Sequence, residues 1–276
     1  MQLPKLLKTH ILKLPTMEKP IEFRPFTVME EKALLSVDDE TSTDVRNLRV
    51  KEVVDTCTGG TLNFKKLSPT EVHFIFLNIR AKSVGEKATL FLACDKCYDM
   101  FKIHKEEFET KGAEIRKNPK YVTDARLREE YYKLQETMQK ASKNVYNEVL
   151  VDIEKLKLDV DPNHTNRIQL DDQVYVDMSF GLNSLTLDEG DDGHDTLVKT
   201  IASCIDTIYD ADQVYDNIPV DVKLDWLRER VSSSIIVEKF AKFFETAPTM
   251  KYDVEHKCNN CGNEMNKTLT ELADFF

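Results

Sequence analysis

Two Cys-x2-Cys pairs, Cys94-Asp95-Lys96-Cys97 and Cys258-Asn259-Asn260-Cys261, stand 160 residues apart in this chain of 276. Runs that read as strands flank each pair: Leu90–Ala93 and Met100–His104 around the first, Met250–Lys257 and Glu264–Leu269 around the second. A strand, a C-x2-C turn and a further strand make a zinc-ribbon knuckle, which aims two thiolates at one ion. Two knuckles complete a tetrahedron at about 2.3 Å per sulfur. Gly262 follows the second pair, where such a turn favours positive φ. The closure entropy of a long loop grows only logarithmically with its length, so the separation does not forbid a shared ion. The pattern therefore predicts a structural Zn2+ held by Cys94, Cys97, Cys258 and Cys261. It also predicts that the two ends of the chain are neighbours.

Other uses of these thiols remain open at this level. The plain alternative is a pair of hairpins that pack without metal. Redox chemistry wants the first cysteine at a helix N-terminus, where the dipole lowers its pKa, and both pairs here read as leading into strands. Disulfides within the pairs do not suit a cytosolic chain. Four protein ligands leave no open position for a catalytic water. His104 and His256 lie near the pairs and read as strand residues, with substitution as ligands the alternative. Cys57 and Cys204 fall on apolar helix faces and read as core thiols.

Composition narrows the function classes. Lys and Arg number 38 against 49 Asp and Glu, a net charge of −11, so a basic nucleic-acid-binding face is not expected. No stretch reaches the roughly 18–20 apolar residues of a membrane span. Lys5, Lys8, His10 and Lys13 interrupt the N-terminal apolar run, which excludes a signal peptide and makes the cytosol the expected compartment. G-x-S-x-G, H-E-x-x-H, P-loop and G-x-G-x-x-G motifs are all missing, so no catalytic residue is assigned.

Periodicity gives an α+β reading, mainly helical with short hairpins. Ile11–Leu14 and Ile21–Phe23 read as a hairpin. Thr27 and Glu30 have capping-box spacing and open a helix over 28–36. A helix over 44–56 has Val45, Leu48, Val53, Val54 and Cys57 as its inner face. Ser68, Pro69 and Glu71 start a core helix that Gly85 ends. Leu127, Tyr131, Leu134, Met138, Ala141 and Val145 form a heptad-like seam, either a projecting arm or an amphipathic helix lying on its own domain. Ile168–Met178 alternates as strands around Asp171-Asp172. Asp188–Gly193 reads as an acidic surface loop without EF-hand ligand order. Helices are predicted over 196–209, 221–231 and 234–246. Phe240, Phe243 and Phe244 are core residues of the last, and Trp226 is a packing residue. The domain reading is a discontinuous α+β domain of residues 1–110 and 166–276, with a helical insertion at 111–165.

A family resemblance emerges from the landmarks. Leu3-Pro4-Lys5-Leu6, Leu14-Pro15 and the run Ile21-Glu22-Phe23-Arg24-Pro25-Phe26-Thr27-Val28-Met29-Glu30-Glu31-Lys32 are similar to the N-terminus of baseplate-hub assembly proteins of contractile-tailed T-even-type bacteriophages. Cys57-Thr58, Arg80–Glu86, Phe243-Phe244, Pro248, Cys258–Gly262 and Asp274-Phe275-Phe276 resemble later landmarks of that family. The resemblance covers about residues 3–108 and 196–276.

It implies a non-catalytic, chaperone-like assembly factor or minor hub component. Its partners would be other baseplate-hub or tape-measure proteins. It would reside in the host cytoplasm during assembly, or in the tail baseplate of the virion. The alternatives are a zinc-dependent hydrolase of unfamiliar fold and a phage protein that binds a host factor.

Overall fold

A computed structural model describes residues 6–36, 43–180 and 193–275. The protein is α+β, built of helices and small antiparallel sheets. Strands β1 (His10–Leu12) and β2 (Ile21–Phe23) pair as the expected hairpin. Helix α1 (Val28–Leu35) opens on the Thr27–Glu30 capping box. Helix α2 (Thr43–Cys57) packs on α3 (Pro69–Val84). All three start signals of α3 operate. The Ser68 hydroxyl accepts from the Glu71 amide at 3.2 Å, and the Glu71 carboxylate accepts from the Ser68 amide at 2.7 Å. Pro69 occupies the first turn, where a missing N–H costs nothing. Gly85, at φ 129°, ends the helix in a backbone region closed to other residues.

Strand β3 (Lys87–Ala93) leads into α4 (Asp95–Glu107), a π-helical stretch (Phe108–Gly112), α5 (Ala113–Lys117) and α6 (Ala125–Lys143). Strand β4 (Tyr146–Asp152) then pairs with β3 along its whole length. Next come β5 (Lys157–Asp159), β6 (Arg167–Gln169), β7 (Tyr175–Met178) and α7 (Gly193–Cys204). Strands β8 (Ile205–Tyr209) and β9 (Val214–Tyr215) complete a sheet ordered β6-β7-β8-β9. The chain continues through α8 (Val220–Arg230), α9 (Ser233–Ile235), a second π-helical stretch (Ile236–Phe240) and α10 (Ala241–Glu245). It ends with β10 (Thr249–Lys257) and β11 (Glu264–Leu269).

Contacts divide the chain into two compact units. Unit 1 is 1–86, 153–251 and 270–272; unit 2 is 87–152, 252–269 and 273–276. Within unit 1, α3 is the most enclosed helix, with Ile75, Leu77 and Ile79 fully buried. Each such side chain stabilises the unit by about 1.5–3 kcal/mol. A second core in unit 1 joins Val176, Ile201, Ile205, Leu227, Phe240 and Phe243. The Phe243 ring stacks on Phe180 with centroids 4.4 Å apart. Unit 2 contains the β3–β4 ribbon, the α4–α6 pair and the β10–β11 hairpin.

Three local expectations are corrected, and one alternative is decided. Met100–His104 is helical, not a strand, because Cys97, Phe101, His104 and Phe108 recur at helical spacing on the covered face of α4. Residues 205–209, expected to extend a helix, form β8. Ile205, Thr207 and Ile208 are β-branched and pair with β7 and β9 once the helix stops at Cys204. On α2, Val45 and Leu48 face solvent, while Val50 joins Val53, Val54 and Cys57 inside. The seam of α6 is half-buried and meets α4 in its own unit, as for an amphipathic helix lying on its own domain. The acidic stretch Asp188–Asp192 lies outside the described residues.

Candidate metal centre

The four predicted cysteines converge in unit 2. Their sulfurs all lie within 4.8 Å of one another. Cys94 Sγ and Cys261 Sγ are 3.6 Å apart, as are Cys97 Sγ and Cys258 Sγ. A tetrahedron with metal–sulfur bonds of about 2.3 Å has edges of about 3.8 Å, so this spacing suits a single ion. Cys94, Cys97 and Cys258 are buried, and only Cys261 reaches the surface.

The two pairs are built differently, which corrects the twin-ribbon expectation. Cys258–Cys261 is a hairpin knuckle between β10 and β11. The Cys258 amide donates to the Asn263 carbonyl at 2.8 Å, and the Gly262 amide returns to the Cys258 carbonyl at 2.9 Å. Gly262 sits at φ 71°, the left-handed turn its sequence position predicts. Cys94 instead ends β3 and caps α4. Its φ of −91° and ψ of 118° are extended, its amide donates to Val145 at 2.8 Å, and its carbonyl accepts from Tyr98 at 2.8 Å. One hairpin and one helix N-terminus thus supply two thiols each.

This removes the premise on which redox chemistry was set aside, since Cys94 does stand at a helix start. The electrostatics do not favour a reactive thiol there. Burial pushes the Cys94 and Cys97 thiols up; hydrogen bonding to the other sulfurs adds to it at Cys97, while at Cys94 the Cys97 amide works against it. At Cys258, burial opposes ionisation, but the amides of Cys261 and Asn260 and the Asn147 side chain aim N–H groups at the sulfur. The net effect is a thiol brought down to about 6. These directions favour the thiolate at Cys258 and the thiol at Cys94 and Cys97. A divalent cation would let all four ionise.

Asn147 is the residue the sequence reading missed. It is buried, and its Oδ1 accepts from the Asn259 amide at 2.9 Å. Its Nδ2 is also buried and, apart from facing the Cys258 sulfur, has no hydrogen-bond partner among the described residues. An N–H donor left over beside Cys258 is what a metal-bound thiolate takes as an outer-shell partner. Asn260 Nδ2 donates to the Asn144 carbonyl at 2.9 Å and fixes the knuckle to the start of β4. A signal existed: β4 alternates, and Asn147 is the one polar residue on the face that carries Val149 and Val151. His104 and His256 stand outside the sulfur cluster. Cys57 and Cys204 are buried core thiols, and burial raises Cys57 to about 11.

The donor set, the sulfur spacing and the leftover Asn147 donor all fit a bound metal ion. The four thiolates would hold it, and the ion would join β3, α4 and the β10–β11 hairpin. No helix among the described residues is long and apolar enough to cross a membrane.

Fold and site together define a mixed α+β protein clamped by a four-thiol cluster. The chain belongs to the T4 bacteriophage base plate protein family, whose model matches residues 7–276. No curated protein and no solved structure gives a significant match.

Proposed function

We propose that this baseplate protein is a non-catalytic assembly factor or minor component of the baseplate hub, acting through contacts with other hub or tape-measure proteins. The observation that carries this reading is the family match over nearly the whole chain. The cysteine cluster supports it. A set of four sulfurs, read as a structural Zn2+ site, leaves no coordination position for a reacting water and makes a rigid scaffold. The outer face of the β3–β4 ribbon supports it too, since Phe91, Tyr146 and Leu150 stand out into solvent. Exposed apolar groups set close together mark protein contacts.

Two measurements test the reading. Tagged protein from infected cells should co-purify with hub or tape-measure proteins, and its deletion should stop hub formation. Normal hubs in the deletion strain would overturn the assembly role. Cobalt substitution tests the scaffold role of the cluster. Pure tetrahedral sulfur ligation agrees with it, whereas an exchangeable water on the metal would point to a zinc hydrolase. Capture of a bacterial factor from uninfected cells, with no hub partner, would favour the host-binding alternative.

A further inference from the structure

Away from the cysteines, a cavity of about 520 Å³ opens in unit 1 between the β8–β9 edge and α8. Its inner wall is apolar, with Ile208, Ile218 and the side of Trp226. Its lining is mainly acidic, with Asp171, Asp210, Asp225 and Glu229 against one exposed cation, Arg230. Asp210 accepts from the Asp212 amide, the Gln213 amide and the Tyr215 hydroxyl. Those bonds, the Asp212 amide first, hold its carboxyl below the usual range. Asp225 and Glu229 have no ion-pair partner among the described residues. The Lys223 ammonium does not offset them, because it turns inward to the Ile205 carbonyl at 2.6 Å. Around the mouth, Val214, Tyr215 and Val222 are exposed. Between β9 and α8 lies Asn217 at φ 51°, the one left-handed non-glycine residue among those described. Its turn carries the chain from the edge strand to Ile218 on the wall.

An apolar hollow ringed by carboxylates fits an apolar segment that carries cations. This acidic chain has such a segment. Along the N-terminal arm and β1, Leu6 is 90% and Ile11 67% exposed, beside exposed Lys8 and Lys13. Leu6 and Ile11 stand in solvent, so neither fills its own chain's cavity, whereas Leu14 at the end of the segment is already buried.

We propose that the cavity receives the N-terminal arm of a second copy of this chain. Leu6 and Ile11 would enter the apolar hollow, and Lys8 and Lys13 would meet the rim carboxylates. Trp226 and Tyr215 offer ring faces to the same cations. The contact is head-to-tail, since each copy keeps one arm and one cavity free, and it grows into a ring or an open array. The proposal goes beyond the hub reading and is independent of the metal centre, so failure of either leaves it standing.

Trp226 is the only tryptophan of the chain and reports on the cavity directly. The unaltered full-length protein is titrated with a synthetic peptide of residues 6–14, and with the same peptide carrying Lys8→Glu and Lys13→Glu. Saturable change in Trp226 emission is expected from the first, with binding at least tenfold weaker for the second. Sedimentation of the full-length protein should show mass rising with concentration. Leu6→Asp with Ile11→Asp should return it to monomer, and Asp225→Lys with Glu229→Lys should do the same. A Trp226 response equal for both peptides would overturn the proposal. So would a monomer at every concentration, even with peptide binding, because the arm would then have no second copy to serve. If a variant fails to fold, the peptide titration and the sedimentation of unaltered protein still decide.

Discussion

Cys94 and Cys261, 167 positions apart in sequence, bring their sulfurs to 3.6 Å. That approach joins the β3–α4 junction to the β10–β11 hairpin. β3 delivers one thiol, β10 and β11 the other, and Asn147 on β4 sits between the two sources. Among the described residues, Met265 is the further hydrophobic group packed against the cluster. Unit 2 also buries Leu90, Leu92, Val149, Val151 and Phe275, and a metal staple would add to that core, as small units often require.

Replacing Cys94 and Cys97 together by Ser should therefore remove bound zinc and lower the thermal midpoint. Structural zinc contributes about 10–16 kcal/mol of apparent binding energy in small peptides, and much of that is folding energy. Hydrogen exchange should show the loss as faster exchange over 87–93 and 252–257. Metal analysis of the native protein that finds essentially no zinc would end the metal reading.

Asn147 is expected to tune the site without ligating. Asn147→Asp places a carboxylate where an N–H donor now faces a thiolate, and should weaken zinc binding by about 10–100-fold. Competition with a chromophoric chelator measures it. Unchanged affinity would show that the donor has no part in holding the ion.

Gly262→Ala should destabilise the knuckle by about 1–2 kcal/mol through backbone strain alone. The added Cβ would meet nothing closer than Lys257 Cε at 3.6 Å, an ordinary contact. Gly262→Asn should cost less, since Asn tolerates the left-handed region. Denaturant titration of both variants ranks them, and equal loss would point to packing instead.

A pH effect should come from His73 on α3. Burial brings its imidazole down to about 4, beside Asn47 Oδ1 at 3.3 Å. The unfolded chain then binds this proton before the folded one does. The contribution of His73 is complete above the ordinary imidazole range and disappears as pH falls through about 4. Its upper size is about 3 kcal/mol. The His73→Gln variant should show a flatter stability curve between pH 6.5 and 4 than the native protein, and parallel curves would exclude His73 as the source.

The α4–α6 hairpin should tolerate shortening at its tip but not loss of its return strand. Phe108 and Tyr131 face each other with ring centroids 5.4 Å apart, so a short turn replacing residues 112–127 keeps that contact. Removing 120–150 takes away most of β4, the only partner of β3 among the described residues. The first variant should retain metal and fold; the second should aggregate. Circular dichroism and metal content distinguish them.

Local chemistry was readable from the chain alone where it is set by short-range rules. The Ser68-Pro69-Thr70-Glu71 start, the Gly85 stop, the positive φ of Gly262 and the β10–β11 hairpin are fixed by capping, sterics and two-residue alternation. The four cysteines could be grouped because ligand spacing is a property of sequence. Tertiary structure decided what those rules leave balanced. Residues 100–104 fit strand or helix until the covered face of α4 is known, and residues 205–209 became a strand because β7 offers a partner. Asn147 acquired its role only when two distant segments met. A polar side chain carries no record of which thiolate folding will place beside it.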